Sequence, residues 1–250
     1  MTASWWGWFK RRPLSIDNEI WAATCRSVPL LHGLDANQDL ALQSLTARFL
    51  DEKTITPLAG LTLDATARTQ LAALCCLPLM GFGATGLRGW SQLLVYPDAF
   101  RVQRSHVDAA GVLHEFEDEL SGESWESGPL ILSWADVQED LADPFAGYCV
   151  AIHEMAHKLD ALDGAMDGTP PLPRQWQRRW AKDFQAQYDA FCDRVDRGKD
   201  TPIDPYAAES PEEFFAVVSE YHFSAPELLQ TEMPKVAAHL HRFYGSPASV

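Results

Sequence analysis

The stretch Ala151–Gly164, AIHEMAHKLDALDG, carries two histidines four residues apart with a glutamate directly after the first. On an α-helix, residues four apart lie on one face a turn along, so His153 and His157 can turn their imidazoles toward a single point. Glu154 lies about 100° round from His153, beside that point rather than at it. This is the H-E-x-x-H arrangement, in which two histidines hold a divalent metal and the glutamate serves as general base. The competing reading is an ordinary amphipathic helix that happens to carry histidines. Val150, Ala151, Ile152, Met155, Ala156 and Leu159 surround them, so the helix is apolar on most sides and two buried imidazoles need partners. A zinc ion supplies both at once. Other histidines lack the pattern: His114, followed by Glu115, has no second histidine, and His239 and His241 are two apart and point away from each other. These read as surface residues.

A catalytic zinc takes three protein ligands and keeps one position open, so a third ligand is required. Asp160 and Cys149 are the nearby choices; Glu209, Glu212, Glu213 and Glu220 are the distant ones. A stripe of Cys149, His153 and His157 spans about 12 Å of helix axis, too much for three bonds of about 2 Å to one ion. The third ligand is therefore best sought in the helix predicted at SPEEFFAVVSEYHF. There Ser210, Pro211, Glu212 and Glu213 also form a capping-box pattern, with Glu213 reaching back to the backbone and Glu212 then free to be the ligand.

The 250 residues are 46% hydrophobic and 11% aromatic, a composition of folded globular protein. A net charge of −15 argues against direct nucleic-acid binding, which relies on Lys and Arg displacing counterions from phosphates. Five cysteines are an odd number, and the adjacent Cys75 and Cys76 sit in an apolar run as small hydrophobes, which favours a reducing compartment. The N-terminal MTASWWGWFKRRP places its charges after an aromatic cluster, the reverse of a secretory signal. It reads as a poorly ordered terminus rather than a membrane or partner contact. No apolar run approaches the roughly 20 residues needed to span a bilayer, so a cytoplasmic location is expected.

Helical spacing runs through SIDNEIWAATCRSV, NQDLALQSLTARFLDEK and DATARTQLAALCCLPLM, the last up to Pro78. SQLLVYPDAF and GPLILSW carry strand-like runs. From Pro144 onward the pattern is helical again, through PFAGYCVAIHEMAHKLDAL, RQWQRRWAKDFQAQYDAFCDRVDRG, PEEFFAVVSEYHF and KVAAHLHRFY, with DGAMDGTPPLP as a loop. The class is α+β, a small sheet against several helices. The chain is read as one compact unit over 1–250, with a mostly helical part over 1–85 and a catalytic part over 86–250.

HEMAHKLD, with DPYAAESPEEFFAVVSEYHFSAPELL downstream and CLPLM, LLVYPDAF and SGESWESGPLILSW upstream, resembles the Mlc titration factor A family of bacterial zinc peptidases. The likeness covers the chain from about residue 30. It implies a zincin-like fold similar to the catalytic domain of anthrax lethal factor, one Zn2+ per chain, aminopeptidase-like activity on peptide substrates, and binding of the glucose-responsive repressor Mlc. By the same resemblance the third zinc ligand falls on Glu213, beside His153 and His157, and a transition-state tyrosine on Tyr206, which joins Glu154 in catalysis. One departure stands out: related peptidases often carry an acid four residues after the ligand glutamate to orient a histidine, and Val217 occupies that position. Asp160 and Glu220 are the candidates for that task.

Two functions from different classes follow. One is a zinc peptidase, with GPLILSW as an exposed sheet edge onto which an extended peptide adds. The other is a non-catalytic module that sequesters a transcriptional regulator through its acidic surface. A purely structural zinc is disfavoured, because the cysteines lack C-x-x-C spacing.

Overall fold

The computed structural model describes residues 14–107, 113–120, 122–124 and 128–246, with side chains described outside 100–127. The Trp-rich terminus and the surface expectation for His114 fall outside those descriptions.

The N-terminal helices are set by their caps. Asp17, Asp35 and Asp64 each turn a carboxylate onto the first free N–H groups of α1 (Asn18–Ser27), α2 (Ala36–Glu52) and α3 (Ala65–Cys76). Such caps supply partners for donors that the helix itself leaves unpaired. Between α2 and α3 runs the short strand β1 (Thr54–Pro57). Strands β2 (Gln92–Tyr96), β3 (Phe100–Val107), β4 (Leu113–Leu120), β5 (Gly122–Ser124) and β6 (Leu130–Ser133) follow.

One sheet has the order β1-β2-β6-β5, parallel across β1, β2 and β6 and antiparallel at β5. Ile55 pairs with Leu93, Leu93 with Leu130, and Gly122 with Leu132. All four residues of β6 are buried, as expected of a central strand covered on both faces. Strands β3 and β4 form a separate antiparallel pair. The class is α+β, as expected. The expected open edge is corrected: β6 is bonded on both sides, to β2 and to β5, and β5 ends the order. Short strands such as β1 and β5 hold too few residues for alternation to show.

Helix α4 (Trp134–Ala142) springs directly from β6, with the Ser133 hydroxyl accepting from the Asp136 N–H. Helix α5 (Val150–Asp160) carries the two histidines and packs on α7 (Pro211–Ser224). A second correction concerns its start, since 144–149 is not helical. Gly147 has φ +98° there, and a Cβ would stand 2.6 Å from the Tyr221 ring. Glycine lets the chain press onto α7 before the helix begins.

Helices α6 (Arg174–Asp196), α8 (Pro226–Glu232) and α9 (Pro234–Tyr244) complete the described chain. Trp180 stacks on Phe184 at 4.1 Å, and both rings meet Phe215 of α7. Trp180 also meets Phe243 of α9. This cluster packs on α7 and belongs to a continuous apolar core that includes Trp21 and Tyr244. His239 corrects the surface expectation: its imidazole is largely buried, 3.0 Å from Asp183 and against the Trp180 ring. No helix among the described residues is long and apolar enough to cross a membrane.

Candidate metal centre

Helix α5 has no side-chain cap of its own. Its first two N–H groups are met from other elements, Cys149 by Glu220 Oε2 of α7 at 2.6 Å and Val150 by Asp140 Oδ2 of α4 at 2.8 Å. The helix carrying the histidines is thus fixed at its start by two carboxyl side chains from other helices, one ten residues earlier and one 71 residues on. Sequence reasoning did not single out Asp140; no motif marks it, because its role depends on how α4 packs.

His153 and His157 converge as their spacing predicts, with Nε2 atoms 3.2 Å apart. Glu213 Oε2 stands 3.0 Å from His153 Nε2 and 3.4 Å from His157 Nε2. Ligand atoms bonded to one tetrahedral zinc at about 2.0–2.1 Å stand about 3.3 Å apart. The three atoms form a triangle of that size, and the donor set of two imidazoles and a carboxylate suits a divalent metal. Among the described residues this is the group of three or more metal-ligating side chains found. Glu209 and Glu212 are not in it.

The start of α7 explains how Glu213 faces inward. Ser210 Oγ accepts the Glu213 N–H at 3.3 Å and Pro211 occupies the first turn. This is half a capping box: the backbone of Glu213 is capped, while its carboxylate turns to the histidines rather than back to Ser210.

Glu220 Oε1 lies 2.8 Å from His153 Nδ1. Asp160, the other candidate for that task, has Oδ2 on the Gly168 N–H at 2.8 Å and leaves Oδ1 buried without a hydrogen bond. Burial pushes its carboxyl up to about 6, partly offset by Gly168. Cys149 is likewise outside the group of His153, His157 and Glu213, and burial raises its thiol well above the ordinary value.

Burial works against a charged His153, yet Glu220 and Glu213 together override it and raise its pKa well above the usual imidazole value. Burial likewise opposes ionised Glu213, but hydrogen bonds from His153 and His157 hold its carboxyl far below the usual range. Glu154 is buried on the same helix, and burial pushes it up to about 7 despite the two imidazoles. Its Oε2 is buried without a hydrogen-bond partner, the condition of an acceptor placed for a water or substrate proton. Tyr206 sits on a 3-10 turn over Pro205–Ala208, started by Asp204, which accepts the Tyr206 N–H. Tyr206 is 45% exposed and its ring centroid is 6.1 Å from that of His153, so it borders the cluster.

Lys158, one turn beyond Glu154, went unremarked in the sequence. It is 3% exposed and donates to the Gly128 carbonyl at 3.0 Å. Burial lowers its ammonium to about 8. Its Nζ lies 5.7 Å from the centre of the Trp90 ring. A lysine inside an apolar helix was the signal available.

Comparison with known proteins adds to this geometry. Proteins named Mlc titration factor A are similar to the chain along most of its length. The one from Escherichia fergusonii is 36% identical over 243 residues, 96% of this chain and 91% of that protein. Those from Serratia proteamaculans and Yersinia pestis are each 37% identical over 242 residues, covering 96% of this chain and 91% and 88% of theirs. A family described as "Glucose-regulated metallo-peptidase M90" matches residues 4–245, and the chain belongs to that metallopeptidase family, in common with the Mlc titration factors A.

Proposed function

We propose that this chain is a zinc peptidase of zincin-like architecture, aminopeptidase-like in its action on short peptides and working in the cytoplasm. One Zn2+ per chain is held by His153, His157 and Glu213. The observation that carries the reading is the triangle of His153 Nε2, His157 Nε2 and Glu213 Oε2, with edges of 3.0–3.4 Å.

When bound, zinc acidifies water and polarises the scissile carbonyl. Glu154 takes the proton of the attacking water and passes it to the leaving amine; its buried, unpaired Oε2 supports that role. Tyr206 donates a hydrogen bond to the oxyanion from the border of the cluster. The peptide adds as a strand along β5, which among the described residues ends the sheet order and packs over α5.

The test is metal analysis of the purified protein with peptide cleavage before and after chelation. One zinc per chain, and activity lost on chelation and restored by zinc, is the expected result. Full cleavage by metal-free protein overturns the reading.

The name of the relatives favours a second activity. We infer that this chain also binds an Mlc-like repressor, through a surface apart from the cleft and with acidic-to-basic steering that salt weakens. A Glu154→Gln variant is expected to bind the repressor as the parent does while hydrolysing nothing. Competition between a peptide substrate and the repressor would place docking in the cleft instead. No binding at low salt removes the second activity and leaves the peptidase standing.

A further inference from the structure

Glu213 and Glu220 lie seven residues apart on α7, two turns along one face. Between them they address both nitrogens of a single imidazole, Glu213 at His153 Nε2 and Glu220 at Nδ1. Glu220 is 5% exposed, and its second oxygen accepts the Cys149 N–H that opens α5. The position four after Glu213 is the buried Val217, which offers no acceptor. Asp160 is engaged with Gly168.

We propose that Glu220 is a positioning residue for the metal centre: it holds the Nδ1 proton of His153, turns Nε2 toward His157 and Glu213, and ties the ring to the start of α5. The proposal rests on the metal-centre reading above. One oxygen of the Glu220 side chain accepts the Cys149 N–H, and the other stands 2.8 Å from Nδ1, placed to accept the ring N–H there. Once Nδ1 carries the proton of a neutral imidazole, the lone pair is on Nε2. The same side chain fixes where the ring is, through α7, and where the helix begins, through Cys149. Such partners of metal-binding histidines typically change metal affinity 10–100-fold when removed.

Glutamine separates positioning from mere support. In Glu220→Gln the amide oxygen can still accept from Cys149, so the cap on α5 survives. The amide NH2 then faces Nδ1, which must become the acceptor, and the ring proton moves to Nε2 where it blocks metal binding. A residue with only a structural role would show no such effect.

The experiment titrates zinc into the full chain against a chelator of known affinity, and follows thermal unfolding of the zinc-free proteins. Expected for Glu220→Gln is a zinc dissociation constant raised about 10–100-fold with little change in unfolding temperature. Glu220→Ala, which also leaves the Cys149 N–H unpaired, is expected to lose stability as well. Zinc affinity equal to the parent's in folded Glu220→Gln overturns the proposal while leaving the metal centre in place. If the parent itself takes up no zinc, the metal-centre reading fails and this proposal with it.

Discussion

Gly168 lies so close to Pro211 that a Cβ built on it would stand 2.3 Å from the Pro211 carbonyl oxygen. Its φ is +79°, a conformation natural to glycine, and its N–H is held by Asp160 at the end of α5. The loop leaving the histidine helix is thereby locked against the first turn of α7, two residues before Glu213.

Gly168→Ala is therefore expected to cost about 2–4 kcal/mol of stability, combining backbone strain with a clash against main-chain atoms that have no rotamer to escape into. It should also lower zinc occupancy, since Pro211 must shift and Glu213 follows. Thermal unfolding together with metal analysis checks this. An unchanged unfolding temperature would mean that the contact does not set the start of α7.

Glu154→Gln is expected to keep one zinc per chain and lose peptide hydrolysis by about 100-fold or more, because it removes the general base and spares all three ligands. Retained activity in a metal-replete variant would sink the assignment of Glu154.

Glu213→Ala is expected to lower zinc occupancy, and Glu212→Ala to leave it unchanged. Neighbours on a helix point about 100° apart, and it is the Glu213 carboxylate that stands 3.0 Å from His153 Nε2. The opposite ranking, measured by metal content after dialysis, would move the ligand to Glu212.

Tyr206→Phe is expected to reduce kcat about 100- to 1000-fold with KM little changed, as for loss of one oxyanion donor. A rise in KM alone would make Tyr206 a binding residue.

Asp183 predicts a pH-dependent stability. The His239 hydrogen bond, with Lys235 and Arg179 nearby, holds its carboxyl below the ordinary range. A depressed folded pKa stabilises the protein above the unfolded value of about 3.9 and loses that contribution as pH falls through the folded one. Asp183→Asn should therefore be less stable by about 1–2 kcal/mol at pH 7, with the gap closing below about pH 3.9. A gap that does not narrow as pH falls below about 3.9 would assign the effect to packing.

The long amphipathic helices were readable from sequence because their apolar spacing is sustained; NQDLALQSLTARFLDEK and RQWQRRWAKDFQAQYDAFCDRVDRG correspond closely to α2 and α6. The start of α5 was not, because 144–149 reads as helix until Gly147 meets the Tyr221 ring, a contact 74 residues away in sequence. The burial of His239 is hidden in the sequence for a similar reason: its spacing from His241 says nothing of Asp183 on another helix. The convergence of His153 and His157 is local to one helix and follows from a spacing of four. Which carboxylate meets which ring nitrogen depends on how α5 crosses α7, and spacing within either helix leaves Glu212, Glu213 and Glu220 all in play.

Chains are made from the N-terminus at about 5–20 residues per second, and Glu213 comes 60 residues after His153. The histidine pair thus leaves the ribosome about 3–12 s before the carboxylate that completes their cluster. During that interval the nascent segment holds two of the three donors and lacks Glu220, which caps the histidine helix. Biosynthesis thereby acts as a timer: the cluster of His153, His157 and Glu213 closes only once α7 has been made and has packed on α5.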